Sequence, residues 1–398
     1  MKSIIHTKGF KNMKKIMVVT STRADYGLLR PVIKRIYDSD RLNLCLVATG
    51  THLMEKYGNT VEEIEKDGFP IAHRIDIMKF GSGEYETAQT IAYTVQAFSE
   101  LLVKDRPDMM IVLGDRYEMF AVCTAAATLS VPLAHISGGD VTVGAKDDFY
   151  RHCMTKMANL HFPSCPDSTK RVIQLGENPD TVHNVGGLGN ENIHNVPLLS
   201  LEELEESLGF ENLVPFALIT YHPETQKGTK PTDEMAKLLA ALDKVENLNL
   251  IFTKSNADAG GAEINEMVDR YCEQNSHRAK AFFSLGLKRY LSAMKYTSLV
   301  LGNSSSGVVE TPAFGTPTVN IGDRQKGRFI AENVIQTTGE TDSILSGIVR
   351  GLSDEHKEIC KNVTNPYYAG CIASEEIVKI VTEYVYAENN TIKTFYDL

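Results

Sequence analysis

Residues 302–317, Gly-Asn-Ser-Ser-Ser-Gly-Val-Val-Glu-Thr-Pro-Ala-Phe-Gly-Thr-Pro, place three consecutive hydroxyls, a glycine and a carboxylate in one short span. The apolar run 298–301 before it and Val308-Val309 within it predict a strand, a turn and a helix start. Such a turn suits an anion. Unpaired backbone N–H groups, the positive end of a helix dipole and the hydroxyls of Ser304, Ser305 and Ser306 beside Gly307 all favour phosphate. Glu310, three residues past Gly307, would repel phosphate yet could accept both hydroxyls of a ribose, so the combination points to a nucleoside diphosphate. The same residues also have a plainer use, in which the serines cap the helix and Glu310 closes a capping box.

Further candidate groups stand where predicted strands end. Residues 16–20 run into Ser21-Thr22-Arg23-Ala24-Asp25-Tyr26-Gly27. The planar fork of Arg23 suits a diphosphate, and its alternative is a surface pair with Asp25. Residues 109–113 run into Gly114-Asp115-Arg116-Tyr117-Glu118. An aspartate directly after a buried strand must be paired or used, and Arg116 is its neighbouring partner or a second phosphate ligand. Residues 132–136 lead to Ser137-Gly138-Gly139-Asp140, where paired glycines permit close backbone approach and Asp140 adds a second carboxylate. Asp147-Asp148 and Arg151-His152 follow at a predicted helix start, a place acidic residues also favour for the dipole alone. In the second half, His222 ends the run 216–220, biased to an extended conformation by Pro223, and is a candidate for phosphate contact or proton transfer. Lys254, Asn256 and Asp258 follow residues 248–252, and Arg324 and Arg328 follow residues 316–321, in the half that bears the serine turn.

The elements that must position these groups are short Val- and Ile-rich runs separated by longer helical patterns. They lie at 16–20, 44–49, 109–113, 132–136, 216–220, 248–252, 298–301 and 316–321. This is the pattern of an α/β protein with doubly wound parallel sheets. A Gly- and Asn-rich stretch at 186–192 separates two such sets. The layout expected is therefore two Rossmann-like domains with an interdomain cleft: an extension over 1–12 expected to be disordered, a first domain over 13–190 carrying the carboxylates, a second, nucleotide-binding domain over 191–370, and a C-terminal helix and tail over 371–398. Substrate is expected at the carboxyl ends of the strands that face the cleft. The spacing of Ile377, Ile380, Val381 and Tyr384 gives the last helix one apolar docking face. Neither half has a GxGxxG fingerprint after its first strand and no Walker A sequence occurs, so dinucleotide redox enzymes and P-loop phosphotransferases drop in rank.

Bulk composition narrows the partners. The 398 residues carry 41 Lys plus Arg against 51 Asp plus Glu, a net charge of −10, which argues against general affinity for nucleic acid or anionic membranes. The seven cysteines, an odd number without Cys-x-x-Cys spacing, suit a reducing cytoplasm rather than a disulfide framework or a zinc site. No transmembrane run is predicted.

In this order the segments Thr22-Arg23-Ala24-Asp25-Tyr26, Gly50-Thr51-His52-Leu53, Tyr57-Gly58-Asn59-Thr60, Gly114-Asp115-Arg116, Gly138-Gly139-Asp140, Asp147-Asp148, Arg151-His152, His222-Pro223, 302–310 and Asn365-Pro366-Tyr367 make the chain resemble the UDP-N-acetylglucosamine 2-epimerase family. Within that family it looks most like the hydrolysing branch of the sialic acid and legionaminic acid pathways, and the likeness runs from about 14 to 385. The resemblance implies a glycosyltransferase-B architecture and a UDP site made by Ser304, Ser305, Ser306, Gly307 and Glu310 with Arg23, Arg116, His222, Asn256 and Arg324. It also implies backbone near Leu285 on the uracil, and Asp115, Asp140 and Asp147 as the carboxylates around the sugar. A homodimer or homotetramer is implied, without cofactor or metal. The implied reaction converts UDP-N-acetylglucosamine and water to N-acetylmannosamine and UDP: the C2 proton and the C1 diphosphate are eliminated to a glycal, and water then adds across it. Sialic acid members often carry His where Ser137 stands and Glu where Asp140 stands. The serine form looks more like enzymes acting on diacetamido sugars, which leaves UDP- or GDP-linked N,N'-diacetylbacillosamine as an alternative substrate. A non-hydrolysing epimerase, a glycosyltransferase and a catalytically silent nucleotide-sugar sensor are compatible with the same fold and the same serine turn.

Overall fold

The computed structural model describes residues 13–398 apart from 56–57, 82, 144–145, 224–229, 256–259 and 388–391. The first sheet contains β1 (Lys14–Thr20), β2 (Leu42–Thr49), β3 (Ile71–Ile75), β4 (Met109–Leu113), β5 (Leu133–Ile136) and β6 (Leu160–Phe162) in the order β3-β2-β1-β4-β5-β6. The second contains β7 (Phe216–Thr220), β8 (Asn249–Thr253), β9 (Ala279–Phe282), β10 (Leu299–Gly302), β11 (Thr318–Ile321) and β12 (Val334–Thr337) in the order β12-β11-β10-β7-β8-β9. All pairings are parallel, and the two sheets share one topology. In each, winding reverses beside the opening strand, at β1/β4 and at β7/β10, where a crevice opens beyond the strand ends.

The central strands read as unbroken apolar runs because helices cover both faces. Alternate side chains of β1 enter different cores: Ile16 and Val18 on one face, Met17 and Val19 on the other. In β7, Ala217 and Ile219 face one core and Phe216 and Leu218 the other. Four strands absent from the sequence pattern, β3, β6, β9 and β12, are the four sheet edges.

Two features of the connections bear on function. The Gly- and Asn-rich stretch holds a buried helix, Leu188–Asn195, which bonds to both sides: Asn192 Nδ2 donates to the Gly27 carbonyl at 3.1 Å and Asn190 Nδ2 to the Tyr367 carbonyl at 2.9 Å. The helix Ala373–Tyr386 returns to the first sheet, where Ile377 and Val381 join Val32 and Ile36 of the helix Arg23–Tyr37 in one core. Glu191 caps it, accepting from Ser374 N at 2.8 Å and from Ser374 Oγ at 2.6 Å. Among the described residues, no helix is long and apolar enough to cross a membrane.

Candidate active site

Asp115 follows β4 and forms an ion pair with Arg151, which lies on the helix Lys146–Met157. Arg151 is almost wholly buried, and it also donates to the Asp140 carbonyl at 2.8 Å and to Thr142 Oγ1 at 3.0 Å. A second carboxylate, Asp148, stands 3.6 Å from Arg151 and accepts from Thr142 N at 2.6 Å. The arginine fork thus ties the ends of β4 and β5 to the following helix. Asp147 lies exposed in the first turn of that helix, one residue from the bonded Asp148.

His135, at the end of β5, is fully buried. Burial depresses its pKa to about 4, so at neutral pH it carries one ring proton. Nε2 faces the Gly114 carbonyl at 2.8 Å, an acceptor, which places the proton there and leaves Nδ1 to accept from Thr155 Oγ1 at 3.1 Å. This bond fixes the peptide just before Asp115. Two residues on, Ser137 adopts a left-handed backbone with φ of 64°, unusual for a residue with a side chain. Asp140 is buried, its Oδ1 accepting from Ser168 Oγ at 2.5 Å and from Ser164 Oγ at 3.1 Å.

In the second domain the serine turn sits where β10 meets β7. Gly302 has a φ of 138°, and a Cβ there would come within 1.9 Å of the Thr220 carbonyl oxygen, so only glycine lets the strand end approach so closely. Asn303 binds the neighbouring strand end twice: its Oδ1 accepts from His222 N at 2.7 Å and its Nδ2 donates to the His222 carbonyl at 2.8 Å. Arg324 Nη1 donates to the Asn303 carbonyl at 3.1 Å. The helix that follows, Ser306–Val309, is short and continues as a 3₁₀ turn, Thr311–Phe314, where Pro312 interrupts the α pattern. Ser305 makes no side-chain cap, and Glu310 bonds to Ser306 Oγ at 2.5 Å while Tyr290 donates to the same hydroxyl at 3.0 Å. The capping-box alternative is therefore not realised. Burial raises the pKa of Glu310, with Ser306 opposing. Its carboxylate rests against the helix Leu188–Asn195, so close that a Cβ on Gly189 would lie 2.9 Å from Oε1.

Cross-domain contacts join residues that follow strands, so the carboxyl ends of the two sheets face one another. Arg23, after β1, donates to Ser284 Oγ, after β9, at 3.2 Å, and pairs with Glu63 rather than Asp25. Asp25 instead closes the cap of its own helix, accepting from Ser21 N, Thr22 N and Tyr26 N. Arg328, after β11, stands 3.6 Å from Asp140 Oδ2. Leu285 is buried at the start of the helix Gly286–Tyr296, and its carbonyl accepts from Arg289 Nε at 2.9 Å. Arg116 is paired with buried Glu118 at 2.9 Å, and Lys254 with Asp269 at 2.7 Å. Asn256 and Asp258 lie outside the described residues, as does Tyr57.

Sequence reasoning assigned no role to Arg151, His135 or Ser168, because their partners come from separate segments. Among the described residues, Cys45, His73 and Asp105 hold potential metal-ligating atoms within 4.8 Å of one another, but Asp105 is already ion-paired with Lys15 and with His73. This group sits on β2, β3 and the helix end before β4, away from the strand ends that carry the carboxylates.

Residues 34–382 match the family model described as UDP-N-acetylglucosamine 2-epimerase. The chain is 42% identical to the GDP/UDP-N,N'-diacetylbacillosamine 2-epimerase (hydrolyzing) of Campylobacter jejuni, over 81% of this chain and 84% of that one. It is 36% identical to polysialic acid biosynthesis protein P7 of Escherichia coli, over 97% and 98%. Among solved structures, the fold is similar to UDP-GlcNAc 2-epimerase from Neisseria meningitidis bound to UDP-GlcNAc, with a TM-score of 0.76 at 18% identity over 93% and 100% of the two chains. It is likewise similar to the Methanocaldococcus jannaschii enzyme in complex with UDP-GlcNAc and UDP, with a TM-score of 0.72 at 17% identity over 92% and 99%. Two doubly wound sheets meeting at their strand ends, with these matches across most of the sequence, identify the chain as a member of the UDP-N-acetylglucosamine 2-epimerase family, in its hydrolysing branch.

Proposed function

We propose that the protein is a hydrolysing 2-epimerase, releasing the nucleoside diphosphate and a free 2-epimeric acetamido sugar. The observation that carries this is the outward placement of Asp115 over buried Arg151 at one switch point, with the serine turn and Glu310 at the switch point of the facing sheet. Ser304 and Ser305 bind diphosphate, with His222 and Arg324 beside them. Glu310 takes the ribose hydroxyls, and the backbone near Leu285 contacts the base. Arg23 and Arg116 approach the diphosphate from the first domain, and Asn256 completes the site.

In the first half-reaction a carboxylate removes the C2 proton while the diphosphate departs from C1. Departure is assisted by cationic and hydroxyl donors around the leaving oxygens, and a glycal remains. Water then adds at C1 as a proton returns to C2 from the opposite face, so two proton carriers on opposite sides of the ring are required. Asp115 and Asp147 take these roles, with Asp140 in reserve. Asp115 is the better founded, because Arg151 holds its carboxylate in place. The two serine hydroxyls that hold Oδ1 of buried Asp140 support a positional role for that residue.

Two sugars suit this scheme. UDP-N-acetylglucosamine is supported by the family and by the relative of the polysialic acid pathway. N,N'-diacetylbacillosamine, linked to UDP or GDP, is supported by Ser137 and by the 42% identity to the Campylobacter enzyme. The seven free thiols support a cytoplasmic setting, and the family implies a homodimer or homotetramer. Proton NMR of the protein with each nucleotide sugar in deuterated water tests the proposal. A free 2-epimer carrying deuterium at C2, released with the nucleoside diphosphate, is expected from one of them. A nucleotide-linked epimer would instead indicate the reversible reaction, and no turnover of any would favour a transferase or a sensor.

A further inference from the structure

We propose that Arg328 is a positioning residue that couples nucleotide binding on the second domain to the placement of Asp115 on the first, acting through Asp140 and Arg151. The inference rests on the function proposed above and adds a residue that contacts neither the nucleotide nor the reacting carbons.

The connection can be followed bond by bond. The loop after β11 begins fastened to the serine turn, where Arg324 Nη1 and Gln325 Nε2 both donate to the Asn303 carbonyl, at 3.1 and 2.8 Å. Two residues later Gly327, with a φ of 88°, packs so closely on the first domain that a Cβ would come within 2.9 Å of Val141 Cγ1. Its carbonyl accepts from Arg171 Nη2 at 2.9 Å, and the other arm of Arg171 donates to the Gly139 carbonyl at 3.2 Å. Arg328 then faces the Asp140 carboxylate at 3.6 Å. The main chain of Asp140 accepts from Arg151, and the same guanidinium holds Asp115. A shift of the loop that follows the serine turn must therefore move the Asp140 turn, which is bonded to the arginine under Asp115.

Arg328 is not at rest in this arrangement. Its side chain is 13% exposed, its Nε is buried with no hydrogen-bond partner among the described residues, and its contact with Asp140 is longer than a charge-assisted hydrogen bond. A buried, incompletely satisfied arginine between two domains favours a second arrangement that satisfies it, and a ligand that draws the serine turn and its loop together biases the protein towards that arrangement. Binding energy gained on the nucleotide is thereby directed to the carboxylate that meets the sugar.

The test uses the full chain with UDP as the probe, combining hydrogen–deuterium exchange with steady-state kinetics. In the wild type, UDP is expected to slow exchange both at residues 302–310 and 323–330 and at residues 138–142 of the other domain. In Arg328→Gln, protection should persist at 302–310 and vanish at 138–142, while kcat falls about tenfold or more and KM changes less than about twofold. Arg328→Lys, which keeps the charge without the fork, should recover part of the coupling. A melting temperature and circular dichroism spectrum like those of the wild type show that the variant is folded, and Asp140→Asn should reproduce its exchange pattern. Wild-type protection at 138–142 in Arg328→Gln, or a KM effect with kcat intact, would overturn the proposal. Exchange is read without turnover, so a protein that processes no nucleotide sugar yet shows the coupling would refute the proposed function and leave the coupling standing.

Discussion

Arg151 forms the floor beneath Asp115: the arginine side chain is 2% exposed, and the carboxylate paired with it is 28% exposed. The charge that could meet a substrate is thus at the surface of the cleft, and the charge that steadies it is out of reach of water. Asp115→Asn keeps the shape but removes the carboxylate proposed to carry a proton, so kcat should fall about 10²- to 10⁴-fold while UDP affinity, measured by calorimetry, stays within about twofold. Unchanged turnover would remove Asp115 from the reaction.

Glu310 and Gly189 give a paired prediction on the nucleotide side. Glu310→Ala should weaken UDP about tenfold or more through loss of the ribose contacts proposed for it. Gly189→Ala places a methyl 2.9 Å from Glu310 Oε1 and should displace the carboxylate, weakening UDP in the same direction without lowering the melting temperature. Equal affinity in both variants and the wild type would mean that Glu310 does not touch the ribose.

The buried neutral state of His135 predicts an acid-sensitive contribution to stability. Its folded pKa, about 4, lies below the ordinary value near 6.5, so the unfolded chain takes up the proton more readily. The stabilisation is complete above pH 6.5, declines as pH falls from 6.5 towards 4, and amounts to about 3 kcal/mol in all. His135→Gln retains a donor for the Gly114 carbonyl but does not titrate. Urea unfolding from pH 8 to pH 4.5 should show the wild-type midpoint falling relative to the variant, and parallel curves would contradict the assignment.

Ile377 tests the docking of the last helix. It is fully buried in the core shared with Val32 and Ile36, so Ile377→Ala should destabilise the protein by about 2–5 kcal/mol, read as a lower melting temperature with increased proteolysis of the first domain. The exposed Val349→Ala on the second domain serves as a control expected to change little.

Central strands were legible in the sequence because both faces are covered and the apolar runs are unbroken. The edge strands were not. The residues of β3 and β12 alternate in burial, β6 is buried but only three residues long, and β9 is largely half-buried, so none offers the long unbroken apolar run that betrays a buried strand. Strand-end residues were legible as candidates because parallel topology places them at one end of the sheet. Their partners were less so. Arg23 reads as a diphosphate ligand with a surface pair to Asp25 as the alternative; that alternative fails, because Asp25 is consumed by its own helix cap and Arg23 turns to Glu63 and Ser284. Arg151 draws its partners from β4, from the turn after β5 and from its own helix, a convergence that no local spacing records.

The two crossings between the domains lie side by side, with Gly187 N donating to the Tyr367 carbonyl at 2.8 Å and Asn365 Nδ2 to Asn190 Oδ1 at 2.9 Å. In effect the second domain is inserted into the first. During synthesis, the domain begun first is therefore the one finished last: the face of the helix Arg23–Tyr37 that receives Ile377 and Val381 stays uncovered until residue 386 has emerged from the ribosome. The second domain, whose sheet is complete by Thr337, can fold while its predecessor still waits for its closing helix. A messenger cut short before that helix would yield a chain able to build the second domain and unable to seal the domain that carries Asp115.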